Sequence, residues 1–257
     1  MLNPSVAFVA LAAARIASAQ YASTTTFTFT QPTGLPNGLA SYVSFVPGGE
    51  NTKYEGHEFQ PELSYVEGGY LNLLVPGGQQ NEAVIWSAEV QTTFTVSAAR
   101  VDTYAILTDT AGVVNGMFSY DGDTSISGGV QESDIEWLSD ATSATLVDQG
   151  LSRALLYTNQ NTTVVGGQST TGPGVVPADA FTNVHKYSID WSNGQTSFFL
   201  DDVAQYGFTT NVPTTTKASW VWNCWSNGDP YFSVGPPATD AVFKIQKIVM
   251  AYNPGTA

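Results

Sequence analysis

Residues 131–137 read Gln-Glu-Ser-Asp-Ile-Glu-Trp. An extended strand places Glu132, Asp134 and Glu136 on one surface and Ser133, Ile135 and Trp137 on the other. Three acids on one surface repel one another when ionised, so at least one must hold a proton near neutral pH and the set must titrate as a coupled group. An ionised carboxylate beside a protonated one is the pair that cleaves a glycosidic bond with retention: one attacks the anomeric carbon and the other protonates the leaving oxygen. That chemistry wants the two carboxyl groups about 5 to 5.5 Å apart, whereas residues i and i+4 of a strand lie about 13 Å apart at the backbone. A concave strand whose outer glutamates lean inward reconciles the two. Spacing alone admits either adjacent pair as readily as the outer pair, and a solvated acidic strand face satisfies the same five residues.

The elements that must hold such a strand are legible in the rest of the chain. Of 257 residues, 42% are hydrophobic and only 12% charged, enough apolar surface for one large core and about half the usual charged fraction. Abundant Thr, Ser, Val and Tyr with 24 Gly and 13 Pro favour strands and turns over helices. Tyr70–Val75 lies between two Gly-Gly turns. Residues 184–191 put His185, Tyr187, Ile189 and Trp191 on one face, and the turn Ser192-Asn193-Gly194 leads into a strand over 196–200. A further alternating strand, Phe243 to Met250, closes the domain. The expected architecture is all-β, a two-sheet antiparallel sandwich formed by residues 20–257 as a single domain.

Eight Lys and Arg against 22 Asp and Glu give a net charge of −14, which opposes any site built on phosphate neutralisation, so neither nucleic acid nor a membrane is an expected partner. Residues 1–19 carry an apolar run from Val6 to Ala14 followed by Ala17-Ser18-Ala19, the small-x-small pattern of a secretory signal peptide. The expected location is extracellular or cell wall, for a protein acting as a monomer. The single cysteine, Cys224, forbids an internal disulfide and reads as a small buried hydrophobe. Asn161-Thr162-Thr163 is the one N-x-S/T sequon, which makes Asn161 the expected glycosylation site. Asp121-Gly122-Asp123 lacks the remaining ligands of a calcium loop, so no metal is expected.

Glu-Ser-Asp-Ile-Glu at 132–136 resembles the E-x-D-x-E signature of glycoside hydrolase family 16, in the unbulged form associated with lichenases, xyloglucan endotransglycosylases and fungal wall transglycosylases. Further segments resemble the family in the same order: residues 112–120, Tyr157-Thr158-Asn159, residues 185–191, residues 199–203, and Trp222 to Gly228. Together they span roughly residues 66 to 252 and look most like secreted fungal members. The resemblance implies a concanavalin A-like β-jelly roll whose motif strand lines a concave cleft. It implies a retaining endo-β-glucanase with Glu132 as nucleophile, Glu136 as general acid/base and Asp134 hydrogen-bonding the nucleophile. No cofactor or metal takes part, and the implied partner is a β-glucan polysaccharide or oligosaccharide. A wall transglycosylase uses the same covalent intermediate, and a noncatalytic lectin can share the sandwich.

Sugar rings stack their apolar faces on aromatics, so such a cleft combines rings with a few polar anchors. Alternation along 222–225 puts Asn223 and Trp225 on one face, which the resemblance assigns to the cleft, and Trp222 and Cys224 on the other. Alignment adds Tyr157, Arg153, Phe118 and Trp86 as substrate contacts. Trp137 reads as core, His185 as an orienting group, and His57 has no readable role. Activity is expected to centre on the acidic side of neutral, with the ascending limb reporting ionisation of Glu132 and the descending limb deprotonation of Glu136 as values of the coupled group.

Overall fold

The alternation of apolar and polar residues resolves into seventeen strands in the computed structural model, which describes residues 21–30, 34–123, 129–163, 169–192 and 194–256. The segment 1–19 and Asn193 lie outside these. In chain order the strands are β1 (Ser23–Thr28), β2 (Leu39–Ala40), β3 (Ser44–Pro47), β4 (Gly56–Phe59), β5 (Ser64–Glu67), β6 (Tyr70–Val75), β7 (Val84–Thr92), β8 (Val96–Ile106) and β9 (Val114–Asp123). They continue as β10 (Gly129–Leu138), β11 (Ala154–Asn161), β12 (Ser169–Gly174), β13 (His185–Ser192), β14 (Gln195–Leu200), β15 (Val203–Phe208), β16 (Ser219–Trp225) and β17 (Ala241–Pro254). One sheet runs β15-β14-β13-β8-β17-β6-β5 with β1 beside β17; the other runs β12-β11-β10-β9-β16-β7-β4-β3 with β2 beside β7.

The expected sandwich holds with one amendment: β4 and β7 pair in parallel. Between them the chain crosses to the other sheet to form β5 and β6, so no tight hairpin dictates their relative direction. The last strand also departs from simple alternation. Phe243 and Ile245 face the core, the register shifts between Ile245 and Lys247, and Ile248 and Met250 face the core thereafter. One extra residue in the bulge reverses the parity while keeping apolar side chains inward.

The inner faces of the two sheets form the core. Tyr187, Ile189 and Trp191 of β13 meet Ile135 and Trp137 of β10 and Trp220, Trp222 and Cys224 of β16 in one buried cluster. Two indole tips inside it are matched, Trp137 Nε1 donating to Thr108 O at 2.9 Å and Trp222 Nε1 to Thr103 Oγ1 at 2.9 Å, whereas Trp220 Nε1 and the hydroxyls of Tyr157 and Tyr187 are buried without a partner among the described residues. Cys224 is buried, as expected, and its thiol is pushed up to about 12 by desolvation. On the same inner side of β10, Ser133 Oγ donates to Asn159 Oδ1 at 2.8 Å. Burying Ser133, Ile135 and Trp137 fixes which way β10 faces, because a slip of one residue would bury the acids instead. His185 is held between Asp201 Oδ2 at 2.7 Å and Asp179 Oδ1 at 3.1 Å, ordering the turn after β14.

Candidate active site

The outward side of β10 opens onto a cavity of about 900 Å³ whose lining includes Glu132, Asp134 and Glu136. Antiparallel register builds its floor in rungs. Glu136 lies opposite Gly116 of β9, Gly116 opposite Asn223 of β16, and Asn223 opposite Glu89 of β7. The next rung is Thr158, Asp134, Phe118, Val221 and Gln91, and the one beyond carries Gln160, Glu132 and Tyr120. Gly116 makes the first rung possible, since a Cβ there would come within 2.4 Å of Asn223 Oδ1. With that room, Asn223 Nδ2 reaches Glu89 Oε2 at 3.2 Å.

The electrostatics follow from burial among like charges. Desolvation pushes Glu132 up to about 7. Desolvation, then the charge of Glu132, pushes Glu136 up to about 8. Asp134, 5% exposed, is raised well above the ordinary carboxyl range by burial and by the charges of both glutamates. At neutral pH Glu136 therefore holds its proton while Glu132 ionises before it, and burial with both glutamate charges shifts Asp134 toward its protonated form. Such a set offers one nucleophilic oxygen, one acid and one hydrogen-bond donor to a neighbouring carboxylate. Both outer acids titrate higher than ordinary carboxyl groups, which moves the expected activity away from the acidic side.

Four of the residues singled out from sequence fall elsewhere. Register sets Tyr157 opposite Ile135, so it faces the core, fully buried and tilted against Phe198 and Tyr206 at 5.5 Å. The cleft side of β11 is Leu156, Thr158 and Gln160 instead. Arg153 stands at the core edge, its guanidinium 4.9 Å from the rings of Trp137 and Phe181 and paired with Asp109 at 2.8 Å. Trp86 has the parity of core residues Ala88 and Val90, lies off the cavity wall and is 52% exposed. Asn161 is 3% exposed; its Nδ2 donates to Val212 O at 3.1 Å and its Oδ1 accepts from Thr163 Oγ1 at 2.8 Å. A glycan on that nitrogen would replace one of its two hydrogens and grow from a side chain that the surrounding described residues leave only 3% exposed. Asp121 accepts a hydrogen bond from Thr215 Oγ1 at 2.5 Å, and residues 124–128 of the loop after it lie outside the described residues.

Phe118, Asn223 and Trp225 do line the cavity. Trp225 stacks on His57 at 5.1 Å and on Phe232 at 5.8 Å. His57, 6% exposed, is held neutral by desolvation, which lowers it to about 4. Sequence reasoning missed His57, Glu89 and Tyr120. Glu89 carried a signal, a lone acid at the outward position of Ala88-Glu89-Val90-Gln91; burial pushes it up to about 7. His57 carried none, because a parallel pairing brings it to the cleft.

Compared with known proteins, residues 48–235 match the model of the family described as glycosyl hydrolases family 16. Similar solved structures include a prokaryotic β-1,3-1,4-glucanase (lichenase) derived from a mouse hindgut metagenome, at 15% identity and TM-score 0.66 over 90% of this chain and 99% of that one. The β-glucanase of Bacillus licheniformis is 16% identical, TM-score 0.65, over 88% and 97%. LamAcat of Zobellia galactanivorans is 16% identical, TM-score 0.67, over 91% and 99%. At these identities the structures show a shared fold, a β-jelly-roll sandwich. By sequence, no curated protein matches the chain.

Proposed function

Since the chain belongs to glycosyl hydrolase family 16, we propose that it is a secreted, retaining endo-β-glucanase. The observation that carries this reading is the row Glu132, Asp134 and Glu136 on one strand, buried at the floor of a cleft that also holds Phe118, Tyr120 and Trp225. In the proposed reaction a Glu132 carboxylate oxygen attacks the anomeric carbon while Glu136 gives its proton to the departing glycosidic oxygen. Asp134 keeps its proton and donates to Glu132, helping to orient it. Glu136, now ionised, takes a proton from water, whose oxygen attacks the anomeric carbon and releases Glu132. Two inversions give net retention.

Secretion rests on the pattern over residues 1–19, and the identity of the glucan on the resemblance. A sugar hydroxyl in place of water would make the same intermediate a transglycosylation product. The test is release of reducing sugar from lichenan, laminarin and xyloglucan, with Glu132→Gln as control and labelled acceptor oligosaccharides to report transfer. Loss of turnover in Glu132→Gln is the expected result; unchanged turnover in that variant would overturn the assignment.

A further inference from the structure

We propose that the side of β3, β4 and β7 turned away from the cleft is an accessory platform for a neutral polysaccharide chain, built from Phe45, Glu58 and Trp86. Antiparallel pairing sets Phe45 opposite Glu58, and parallel pairing sets Glu58 opposite Trp86. The three side chains therefore form one row across three adjacent strands, with the two aromatic residues about 10 Å apart at the backbone. Phe45 is 47% exposed and Trp86 52%, and with Tyr42 and Val43 they concentrate exposed apolar side chains at this edge of the sheet.

Both ends of the row are held. The Phe45 ring lies against Gly56, where a Cβ would come within 2.9 Å of two ring carbons. The Trp86 backbone is clamped by Gln79: Trp86 N donates to its Oε1 at 2.8 Å, and its Nε2 donates to Trp86 O at 3.1 Å. Between the rings, one carboxylate oxygen of Glu58 accepts from Gln60 Nε2. The other has no partner among the described residues.

Two apolar rings flanking an open hydrogen-bond acceptor match the two faces of pyranose chemistry, C–H groups on the rings and hydroxyls on the carboxylate. The central carboxylate and the net charge of −14 disfavour anionic ligands. An apolar protein partner would desolvate Glu58 without replacing its hydrogen bonds. The platform is also continuous with the cleft, since Tyr42 and Val43, 53% and 63% exposed, line the cavity rim just before β3. A polymer longer than the cleft can pass over this edge strand onto the platform. The identity of that polymer as a glucan rests on the function proposed above.

Affinity electrophoresis through gels containing lichenan, laminarin or xyloglucan tests the proposal. The parent should be retarded in at least one gel, and Phe45→Ala/Trp86→Ala should weaken that binding by roughly tenfold. The double variant should keep its thermal midpoint and its kcat/KM on a short soluble oligosaccharide. Glu58→Lys should weaken retardation as well. Equal retardation of parent and double variant, or no retardation of the parent, overturns the platform. So does a dimer in sedimentation equilibrium that Phe45→Ala dissolves. If the parent turned over no oligosaccharide, the proposed function would fall, while ring-dependent retardation would still decide the platform.

Discussion

Replacing Glu136 by Gln should stabilise the protein, and more so as the pH rises. The carboxyl titrates near 4.5 when unperturbed, whereas burial and the charge of Glu132 push it to about 8 in the folded protein. Below 4.5 the group is neutral in both states and costs nothing. Between 4.5 and 8 the unfolded chain releases the proton and the folded one keeps it, so the stability of the parent falls as pH rises through this window. Above 8 the full penalty is present. At about 1.4 kcal/mol per tenfold, that rise corresponds to about 5 kcal/mol for a group sealed from water. Glu136 opens onto the cleft, and screening there reduces the expected effect to about 2 to 3 kcal/mol. Gln keeps the shape and never ionises. Urea melts of parent and variant at pH 5, 6, 7 and 8 should show the variant gaining that much relative stability across the series, with an unchanged slope against denaturant. A difference that stays flat, or shrinks with pH, would refute the burial argument.

The same burial predicts a pH–rate profile for kcat/KM centred between about pH 7 and 8, the limbs reporting the coupled ionisations of Glu132 and Glu136; an optimum below about pH 6 would contradict it. Glu136→Ala should still be glycosylated by activated aryl glycosides, and azide should then restore turnover and give a β-glycosyl azide. Glu132→Ala should give the α product, and the opposite pairing of products would reverse the two roles. Tyr157→Phe should leave kcat and KM unchanged and not lower the thermal midpoint, because the hydroxyl it removes is buried without a partner among the described residues; a raised KM would return Tyr157 to the substrate. Asn161 should carry no glycan in the folded protein expressed through a secretory pathway, which intact-mass measurement before and after glycosidase treatment will show.

Local sequence determined much of this protein. Flanking turns were enough to mark β6 and β14, and period-2 alternation to mark β13, to put Glu132, Asp134 and Glu136 on one face, and to separate Asn223 and Trp225 from Trp222 and Cys224. These features are legible because one face of each strand is apolar and the other is not. The signal vanishes where both faces are covered. In β11 nearly every residue is buried, so nothing local distinguished Tyr157 from Thr158, and only pairing with Ile135 decided that the tyrosine turns inward. Asn161 shows the same limit: a sequon specifies a sequence, while its burial depends on a carbonyl fifty-one residues away. Trp86 was drawn toward the cleft by alignment, yet parity shared with Ala88 and Val90 turns it the other way. His57 reaches the site through a parallel pairing that follows a crossover into the opposite sheet, a long-range contact that no local pattern encodes. The acidity of the three carboxyl groups was likewise a tertiary matter: like-charge repulsion was readable from spacing, but the desolvation that dominates it exists only once β9, β11 and β16 close around the strand.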